Sequence, residues 1–372
     1  MVKSFKLALK TFMDRFLLFL VLIVCLSSCN KSKDKSRNSY NASTELVSTS
    51  GRTSVKNDSS LILINSASAI HFKAKADTLI VDFELAETDH AYINLEINDT
   101  YKGRFKVEKS LPLKFPLPDR TSFHSISVFK ATEASTGAII VNKIEAFEID
   151  KLDLPKRPEI EFIGNSITCG MGADTREIPC GNGEWFDQHN AYMAYGPRVA
   201  RALNTNFKLN CVSGMGMYRN WNDEDQPVMP DVYENLYLNS DSKEKANFEN
   251  APDVISIAFG TNDFSLGDGE RKRTDFNREK FTIAYIDFIE MLFSKYPNVK
   301  IALLDSPMLN PEQKSILSGV FKEIKNEFLE KEIKIFQFKN ISPGGCTGHP
   351  DIENHEAMAK QLIPFFRNLL KS

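Results

Sequence analysis

The chain has 372 residues, of which 42% are hydrophobic and 26% charged, and its formal net charge is −3. This length is ample for a buried core and favours two domains. Both signs of charge are spread along the chain, and no basic stretch is interleaved with aromatic residues, which argues against a nucleic-acid partner.

The N-terminus has the pattern of an export signal. Basic residues precede the apolar run 16–26, which is too short to span a bilayer comfortably and ends in small residues just before Cys29. This ending resembles the lipobox of bacterial lipoproteins, which implies cleavage before Cys29 and acylation of that residue. We therefore expect residues 1–29 to be a lipoprotein signal and the chain to lie at the bacterial cell envelope, attached to a membrane by lipid only. A plain signal peptide or a membrane anchor is the alternative.

Composition divides the rest of the chain into segments. Residues 30–57 are rich in Ser, Lys, Asn and Thr, which predicts a flexible tether. Residues 58–150 contain short strand-like runs such as 92–97, which alternates with period two, and they predict a β-sandwich of jelly-roll kind. The proline-containing stretch 151–158 is typical of a linker.

Residues 159–372 show a different pattern, in which strands alternate with helices. The segments 160–163, 254–259, 300–304 and 333–338 predict strands, and 191–203, 281–296, 316–330 and 353–370 predict helices. Such alternation predicts an α/β domain with a parallel sheet covered on both faces. In these sheets the functional groups gather at the carboxyl ends of strands.

Four cysteines follow the signal segment: Cys169, Cys180, Cys211 and Cys346. If the chain is exported, one or two disulfides are expected, and the sequence leaves their pairing open. Cys346, His349 and His355 could in principle bind a metal, but the cysteine spacing does not match a zinc site, and we expect no metal.

Three segments carry groups that acyl transfer needs. Ser166 lies in a glycine-flanked turn directly after a predicted strand, where a hydroxyl is exposed near backbone N–H groups. Gly214 could offer its N–H, and Asn262 its side-chain amide, to the same oxyanion. Each segment alone also suits an ordinary turn or helix cap.

A histidine suited to act as the base lies near the C-terminus. His349 follows a glycine-rich loop and precedes Pro350 and the last predicted helix, so it could act as general base toward Ser166. His355 is the competing candidate.

Together, Gly164-Asn165-Ser166, Ser213-Gly214, Gly260 to Asp263 and His349-Pro350 resemble the four blocks of SGNH, or GDSL-like, hydrolases in the right order. The resemblance implies a three-layer flavodoxin-like fold, with Ser166 as nucleophile and His349 as base. It also implies that the oxyanion hole consists of the Ser166 and Gly214 N–H groups and the Asn262 amide.

The whole chain is similar, more narrowly, to carbohydrate esterase family 2, in which a jelly roll precedes an SGNH domain. The segments 160–172, 345–359 and 130–134 carry this resemblance. It implies deacetylation of acetylated polysaccharide such as xylan or glucomannan, without cofactor, and we expect a monomer. The alternatives are an esterase for another acyl group, such as lipid or thioester, and an inactive glycan-binding lipoprotein.

Two departures bear on the mechanism. The position three residues before the histidine, often Asp in SGNH enzymes, is Cys346, so the family resemblance implies a Ser-His dyad in which a backbone carbonyl orients the imidazole. Asn165 stands where Asp often precedes the serine, and activity should survive this change. Trp185, Trp221, Tyr218 and Tyr192 are candidates for a sugar-stacking platform, with packing in the core as an equal alternative.

Overall fold

The computed structural model describes residues 36–109 and 111–372 of the chain. Cys29 and the expected signal segment lie outside the described residues. Among the described residues, the structure contains no helix that is both long and apolar enough to cross a membrane.

The first part of the described chain is antiparallel β-structure. Its strands are β1 (Asn38–Asn41), β2 (Ser48–Ser50), β3 (Thr53–Lys56), β4 (Ser60–Leu63), β5 (Ala69–Lys75), β6 (Thr78–Leu85), β7 (His90–Ile97), β8 (Thr100–Glu108), β9 (Leu113–Pro116), β10 (His124–Lys130), β11 (Ile139–Ala146) and β12 (Glu148–Asp150). One sheet has the order β3-β4-β11-β6-β9, with β1 paired to β11. The other has the order β12-β5-β10-β7-β8, with β2 paired to β5. Apolar residues of both sheets alternate inward into one shared core, which makes this part a β-sandwich.

The expected tether over 30–57 is wrong from residue 38 onward. β1, β2 and β3 pair with sandwich strands, and Ala42 and Val47 are buried in the sandwich core. Composition is misleading here because strand pairing uses backbone N–H and C=O groups, which Ser, Thr and Asn also carry. Residues 30–35 lie outside the described range, and residues 151–158 contain neither helix nor strand.

The second part is an α/β domain. Its strands are β13 (Glu159–Gly164), β14 (Asn206–Cys211), β15 (Val254–Ala258), β16 (Lys300–Leu304) and β17 (Ile333–Phe336). Its helices are α1 (Ser166–Cys169), α2 (Tyr195–Leu203), α3 (Met229–Val232), α4 (Arg278–Lys295), α5 (Pro311–Glu327) and α6 (Ile352–Lys371). The strands are parallel in the order β14-β13-β15-β16-β17, the order 2-1-3-4-5 of a flavodoxin-like fold.

The sheet lies between two helical layers because successive strand residues point to opposite faces. Ile163 of β13 belongs to the core that includes residues of α4 and α5. Ile160 and Phe162 of the same strand belong to the core that includes α2 and α6. The sequence-based expectation of a three-layer parallel-sheet domain preceded by a sandwich is confirmed.

Candidate active site

Three of the predicted segments follow neighbouring strands of the parallel sheet. In the strand register, Gly164 at the end of β13 pairs with Cys211 of β14 on one side and with Ala258 of β15 on the other. The segments that carry Ser166, Gly214 and Asn262 therefore leave the sheet at the same height along three neighbouring strands. Adjacent parallel strands are only about 4.8 Å apart, so the three segments share one corner of the domain.

Ser166 is the first residue of helix α1, and the turn before it is tightly packed. The Asn165 side chain caps the helix by accepting a hydrogen bond from Ile167 N at 3.3 Å. A Cβ at Gly164 would lie 2.2 Å from Thr168 Oγ1, so only glycine fits this approach. Because Ser166 opens the helix, its N–H has no partner within the helical ladder.

His349 reaches the serine hydroxyl from the C-terminal loop. Its Nε2 lies 2.8 Å from Ser166 Oγ, and its Nδ1 lies 3.1 Å from the Cys346 carbonyl oxygen and 3.0 Å from Thr347 Oγ1. A carbonyl oxygen can only accept, so Nδ1 carries the proton and donates it. Nε2 is then free to accept the hydrogen bond from Ser166 O–H.

Burial keeps this histidine neutral. Burial lowers the pKa of His349 below its usual value of 6.5, although the hydrogen bond to Cys346 opposes the shift. A neutral imidazole near pH 7 can take a proton, which is what a general base requires.

The loop that carries His349 is cross-linked to the rest of the domain. Cys346 forms a disulfide with Cys180, and its N–H donates to Gly172 O at 3.0 Å. A second disulfide joins Cys169, in the helix that Ser166 opens, to Cys211 at the end of β14. The prediction that Cys169 and Cys346 lie near the site is confirmed.

Gly214 and Asn262 are joined through the loop that follows β14. Asn262 Nδ2 donates to Met215 O at 2.6 Å. Gly214 has a φ of 81°, and a Cβ there would lie 2.6 Å from Trp221 Cδ1, so both the backbone and the neighbour require glycine. The buried carboxylate of Asp263 accepts from Met217 N at 2.8 Å and so fixes the same loop.

The competing candidates lie elsewhere. His355 is fully buried, its Nδ1 accepts from Tyr195 N at 3.2 Å, and burial lowers its pKa to about 3. Cys346 is in a disulfide, so it supplies no thiolate ligand for a metal. Nowhere in the described part of the chain do three His, Cys, Asp or Glu side chains form a group that could hold a metal ion.

The predicted aromatic platform is only partly supported. Trp185 and Trp221 are 46% and 44% exposed, as stacking on a sugar would require. Tyr218 instead packs among Phe276 and Phe281, and its hydroxyl accepts a hydrogen bond from Asn277 N at 3.0 Å. Tyr192, a further candidate, is buried and stacks on Tyr101. Tyr192 therefore belongs to the aromatic core, whereas Tyr218 is only partly buried, and its place in a sugar platform stays a prediction.

A cleft of about 440 Å³ opens beside the predicted oxyanion-hole loop. Gly214 and Trp221 line it, together with polar side chains that include Asn222, Asp223 and Arg271. An indole next to amide, carboxylate and guanidinium groups suits a polyhydroxylated ligand with apolar ring faces.

Sequence reasoning gave no role to Glu133, and it left open which cysteine pairs with Cys180. Glu133 lies in the segment 130–134, which carries part of the family resemblance. The structure brings its carboxylate to 2.9 Å from Ser213 N. The available signal was an acidic residue at the C-terminal end of a sandwich strand, which by itself indicates a solvated turn.

Comparisons with known proteins find matches to both the sequence and the fold of this chain. Residues 162–330 match the model of the GDSL-like lipase/acylhydrolase family. An acetylxylan esterase/glucomannan deacetylase of Cellvibrio japonicus is 31% identical over 307 residues, which cover 78% of this chain and 81% of the relative.

Two solved structures share the fold. A family two carbohydrate esterase from Cellvibrio japonicus matches with a TM-score of 0.79 at 23% identity, covering 90% of this chain and 98% of that one. A family two carbohydrate esterase from Clostridium thermocellum, in complex with cellohexaose, matches with a TM-score of 0.76 at 24% identity, covering 87% and 99%.

Proposed function

Because this chain is an esterase that belongs to carbohydrate esterase family 2, we propose that it removes O-acetyl groups from polysaccharide through a dyad of Ser166 and His349. The observation that carries the proposal is the 2.8 Å contact between Ser166 Oγ and His349 Nε2 at the carboxyl edge of the sheet. This contact is within the range in which a base can take the serine proton.

The proposed reaction has two displacements. His349 Nε2 takes the Ser166 hydroxyl proton while Oγ bonds to the acetyl carbonyl carbon. The tetrahedral intermediate collapses as the sugar oxygen leaves with the proton from His349, and acetyl-Ser166 remains. Water, deprotonated by His349, then attacks this ester and releases acetate, which restores the serine hydroxyl.

The negative charge of the intermediate would be met by the Ser166 and Gly214 N–H groups and Asn262 Nδ2. The Met215 carbonyl that accepts from Asn262 fixes the amide's orientation before substrate arrives. Donors fixed in advance stabilise the developing oxyanion without reorganising.

In this proposal the Cys346 carbonyl orients the His349 imidazole, as an aspartate does in a catalytic triad. The Cys346 carbonyl accepts from His349 Nδ1, which fixes the tautomer and ring orientation. A carbonyl carries no full charge, so the imidazolium gains less stabilisation than it would from a carboxylate.

The substrate class rests on the relatives and on the cleft. One relative is named an acetylxylan esterase/glucomannan deacetylase, and one structural neighbour binds cellohexaose. The cleft beside Gly214, with Trp221 at its wall, offers this chain a surface for such a glycan.

The same proposal includes export and lipid attachment at Cys29. The Cys169–Cys211 and Cys180–Cys346 disulfides support an oxidising compartment. Metabolic labelling with a fatty acid should mark the wild-type chain and leave Cys29→Ala unmarked, and an unlabelled wild-type chain would contradict the anchor.

The deciding experiment measures acetate release from acetylated xylan and glucomannan by wild type, Ser166→Ala and His349→Ala. Release by the wild type that both substitutions abolish supports the dyad and the substrate class together. Hydrolysis of a small aryl acetate without release from either glycan would retain the esterase and reject the substrate. Release that survives in Ser166→Ala would reject the mechanism.

A further inference from the structure

The sandwich part contributes a buried carboxylate to the corner where the proposed oxyanion hole lies. Glu133 follows strand β10 and precedes the 3-10 turn Ala134–Thr136. Its side chain is fully buried. A carboxylate in such a place is tolerated only when hydrogen bonds replace its lost hydration, so its partners indicate what it does.

Those partners belong mainly to the hydrolase part. Glu133 Oε1 accepts from Ser213 N at 2.9 Å, and Oε2 accepts from the Ser213 hydroxyl. His189 Nε2, also fully buried, lies 3.4 Å from Oε2. Ser135, within the sandwich part, completes the set by donating its hydroxyl to Oε1. One carboxylate therefore fixes both the backbone and the side chain of Ser213.

Ser213 helps to set the direction of the Gly214 N–H, which is one of the proposed oxyanion donors. The N–H of Gly214 belongs to the peptide unit that begins at the Ser213 carbonyl, so its direction follows the backbone angles of these two residues. Gly214 is free to rotate through conformations that other residues avoid, and its observed φ of 81° is one of them. The Trp221 N–H holds the Gly214 carbonyl on one side, and the contacts of Glu133 with Ser213 hold the peptide unit on the N–H side.

We propose that Glu133 is a positioning residue for the esterase: it fixes Ser213 so that the N–H of Gly214 points at the oxyanion. This inference rests on the proposed function. It gives the β-sandwich a part in catalysis, because the anchor of one oxyanion donor comes from the other half of the molecule.

The charge of Glu133 also reaches the base. Burial opposes ionisation, but contacts from His189, Ser135 and Ser213 outweigh it and lower the pKa of Glu133 below its usual range. The carboxylate is therefore ionised at neutral pH. Burial is the largest influence on His349 and lowers its pKa, and the charge of Glu133 partly opposes this shift by raising it. An ionised Glu133 thus favours the imidazolium that forms when Ser166 loses its proton.

Other hydrogen bonds also join the sandwich part to the hydrolase part, at the junction between them. Ala191 N donates to Ala131 O at 3.0 Å, and Arg52 of the sandwich donates to Asn210 Oδ1 at 2.7 Å. The junction retains these bonds when the Glu133 carboxylate is changed.

The test compares full-length wild type, Glu133→Gln, Ser213→Ala and the double variant on an aryl acetate. Glu161→Gln is the matched control, because Glu161 is also a buried carboxylate near the junction but bonds Asn210 and Tyr233. We measure kcat, KM, melting temperature and inhibition by phenylboronic acid, which forms a tetrahedral adduct with an active-site serine. Ser166→Ala is included to test the proposed function itself.

For Glu133→Gln we expect kcat to fall about 10-fold at unchanged KM, a fraction of the about 10²–10³-fold cost of deleting an oxyanion donor. Phenylboronic acid should bind more weakly by a similar factor. The double variant should lose no more than Glu133→Gln alone, because both substitutions break one link. Glu161→Gln should keep the wild-type kcat even if it melts earlier.

A folded Glu133→Gln with wild-type kcat and wild-type boronate inhibition would overturn the inference and leave the dyad intact. Losses that multiply in the double variant would overturn it too. If Glu133→Gln does not fold, Glu133→Asp decides, because it keeps the charge but draws the carboxylate back from Ser213 by one methylene, and a wild-type kcat in that variant rejects the anchor. Activity that persists in Ser166→Ala would instead reject the proposed function.

Discussion

The proposed nucleophile and the proposed base are held by different kinds of structure. Ser166, Gly214 and Asn262 follow three adjacent strand ends, so the hydrogen-bonded sheet sets their spacing. His349 lies on a loop without a strand, and a disulfide, a carbonyl and a few backbone bonds hold it against the sheet edge. We call Ser166, Gly214 and Asn262 the nucleophile side, and residues 345–350, which include His349, the base side or base loop. The sheet fixes the nucleophile side, whereas a few contacts that substitutions can remove hold the base loop.

The largest expected effect comes from removing the base itself. His349→Ala leaves the nucleophile side untouched, yet Ser166 then has no group to take its proton. We expect kcat on an aryl acetate to fall on the order of 10⁴–10⁶-fold, as when nucleophile–base pairs are broken elsewhere. His355→Gln is the control, because His355 is buried away from the serine, and a comparable loss in that variant would contradict the assignment.

Removing a donor on the nucleophile side should cost less. Asn262→Ala deletes the side-chain amide but leaves the Ser166 and Gly214 N–H groups in place. We expect kcat to fall about 10²–10³-fold with little change in KM, because the donor acts on the transition state. A rise in KM at unchanged kcat would mean that Asn262 binds the ground-state substrate.

The same contrast explains what could be predicted from the sequence. The apolar run 160–163 predicted β13, and the position of Ser166 after it followed from the topology of parallel sheets. Strand β14 was missed because it contains Asn206, Lys208 and Asn210, the last a buried residue that pairs with Arg52 and Glu161. Its polarity is explained only by partners that lie far away in the sequence.

The base side was predicted only in part. The glycine-rich loop and Pro350 pointed to His349, but the pairing of Cys346 with Cys180 depends on a separation of 166 residues that no local pattern encodes. The contact between Glu133 and Ser213 could not be predicted for the same reason, since the two residues are 80 positions apart. Local patterns pointed to Ser166 and His349, whereas the contacts that hold these two residues in place join segments far apart in the sequence.

The two disulfides allow the nucleophile side and the base loop to be loosened separately, because Cys169–Cys211 lies near Ser166 and Cys180–Cys346 lies near His349. Cys180→Ala with Cys346→Ala frees the base loop, and we expect kcat to fall about 10-fold to about 100-fold as the imidazole loses its alignment. Cys169→Ala with Cys211→Ala should keep kcat near wild type, because the sheet still holds the nucleophile. Each pair should cost about 2–4 kcal/mol of stability, measured by denaturant unfolding. Equal kcat losses in both pairs would remove the distinction between the two sides.

The exposed tryptophans carry a smaller effect, which should appear only with polysaccharide. Trp221 lines the cleft on the nucleophile side, and losing a stacking contact of about 1 kcal/mol raises KM about 5-fold. We expect this for Trp221→Ala on acetylated glucomannan, with the aryl acetate KM unchanged. Trp185→Ala is the comparison variant. Because Trp185 packs against His189 and does not line this cleft, we expect it to raise KM less than Trp221→Ala does. A fall in kcat on the aryl acetate would show that Trp221 only supports Gly214.

The smallest effect is a shift in pH dependence. Attack needs a neutral His349, so kcat/KM on an aryl acetate should rise with pH and reach its midpoint below 6.5, because burial lowers the pKa of His349. Freeing the base loop with Cys180→Ala and Cys346→Ala should admit water and move the midpoint upward, toward 6.5. A shift of this sign would tie the base's pKa to the cross-link that holds its loop.

One group on the nucleophile side titrates nearby and needs its own control. Burial raises the pKa of Asp263 to about 6, and its carboxylate fixes the loop after Gly214. Asp263→Asn removes that titration. If His349 causes the fall in kcat/KM at low pH, the midpoint of that fall should stay unchanged in this variant, even where kcat is lower. Two results would assign the pH dependence to the sheet edge rather than to the base loop. One is that the fall in kcat/KM at low pH disappears in Asp263→Asn, and the other is that its midpoint does not move in the disulfide variants.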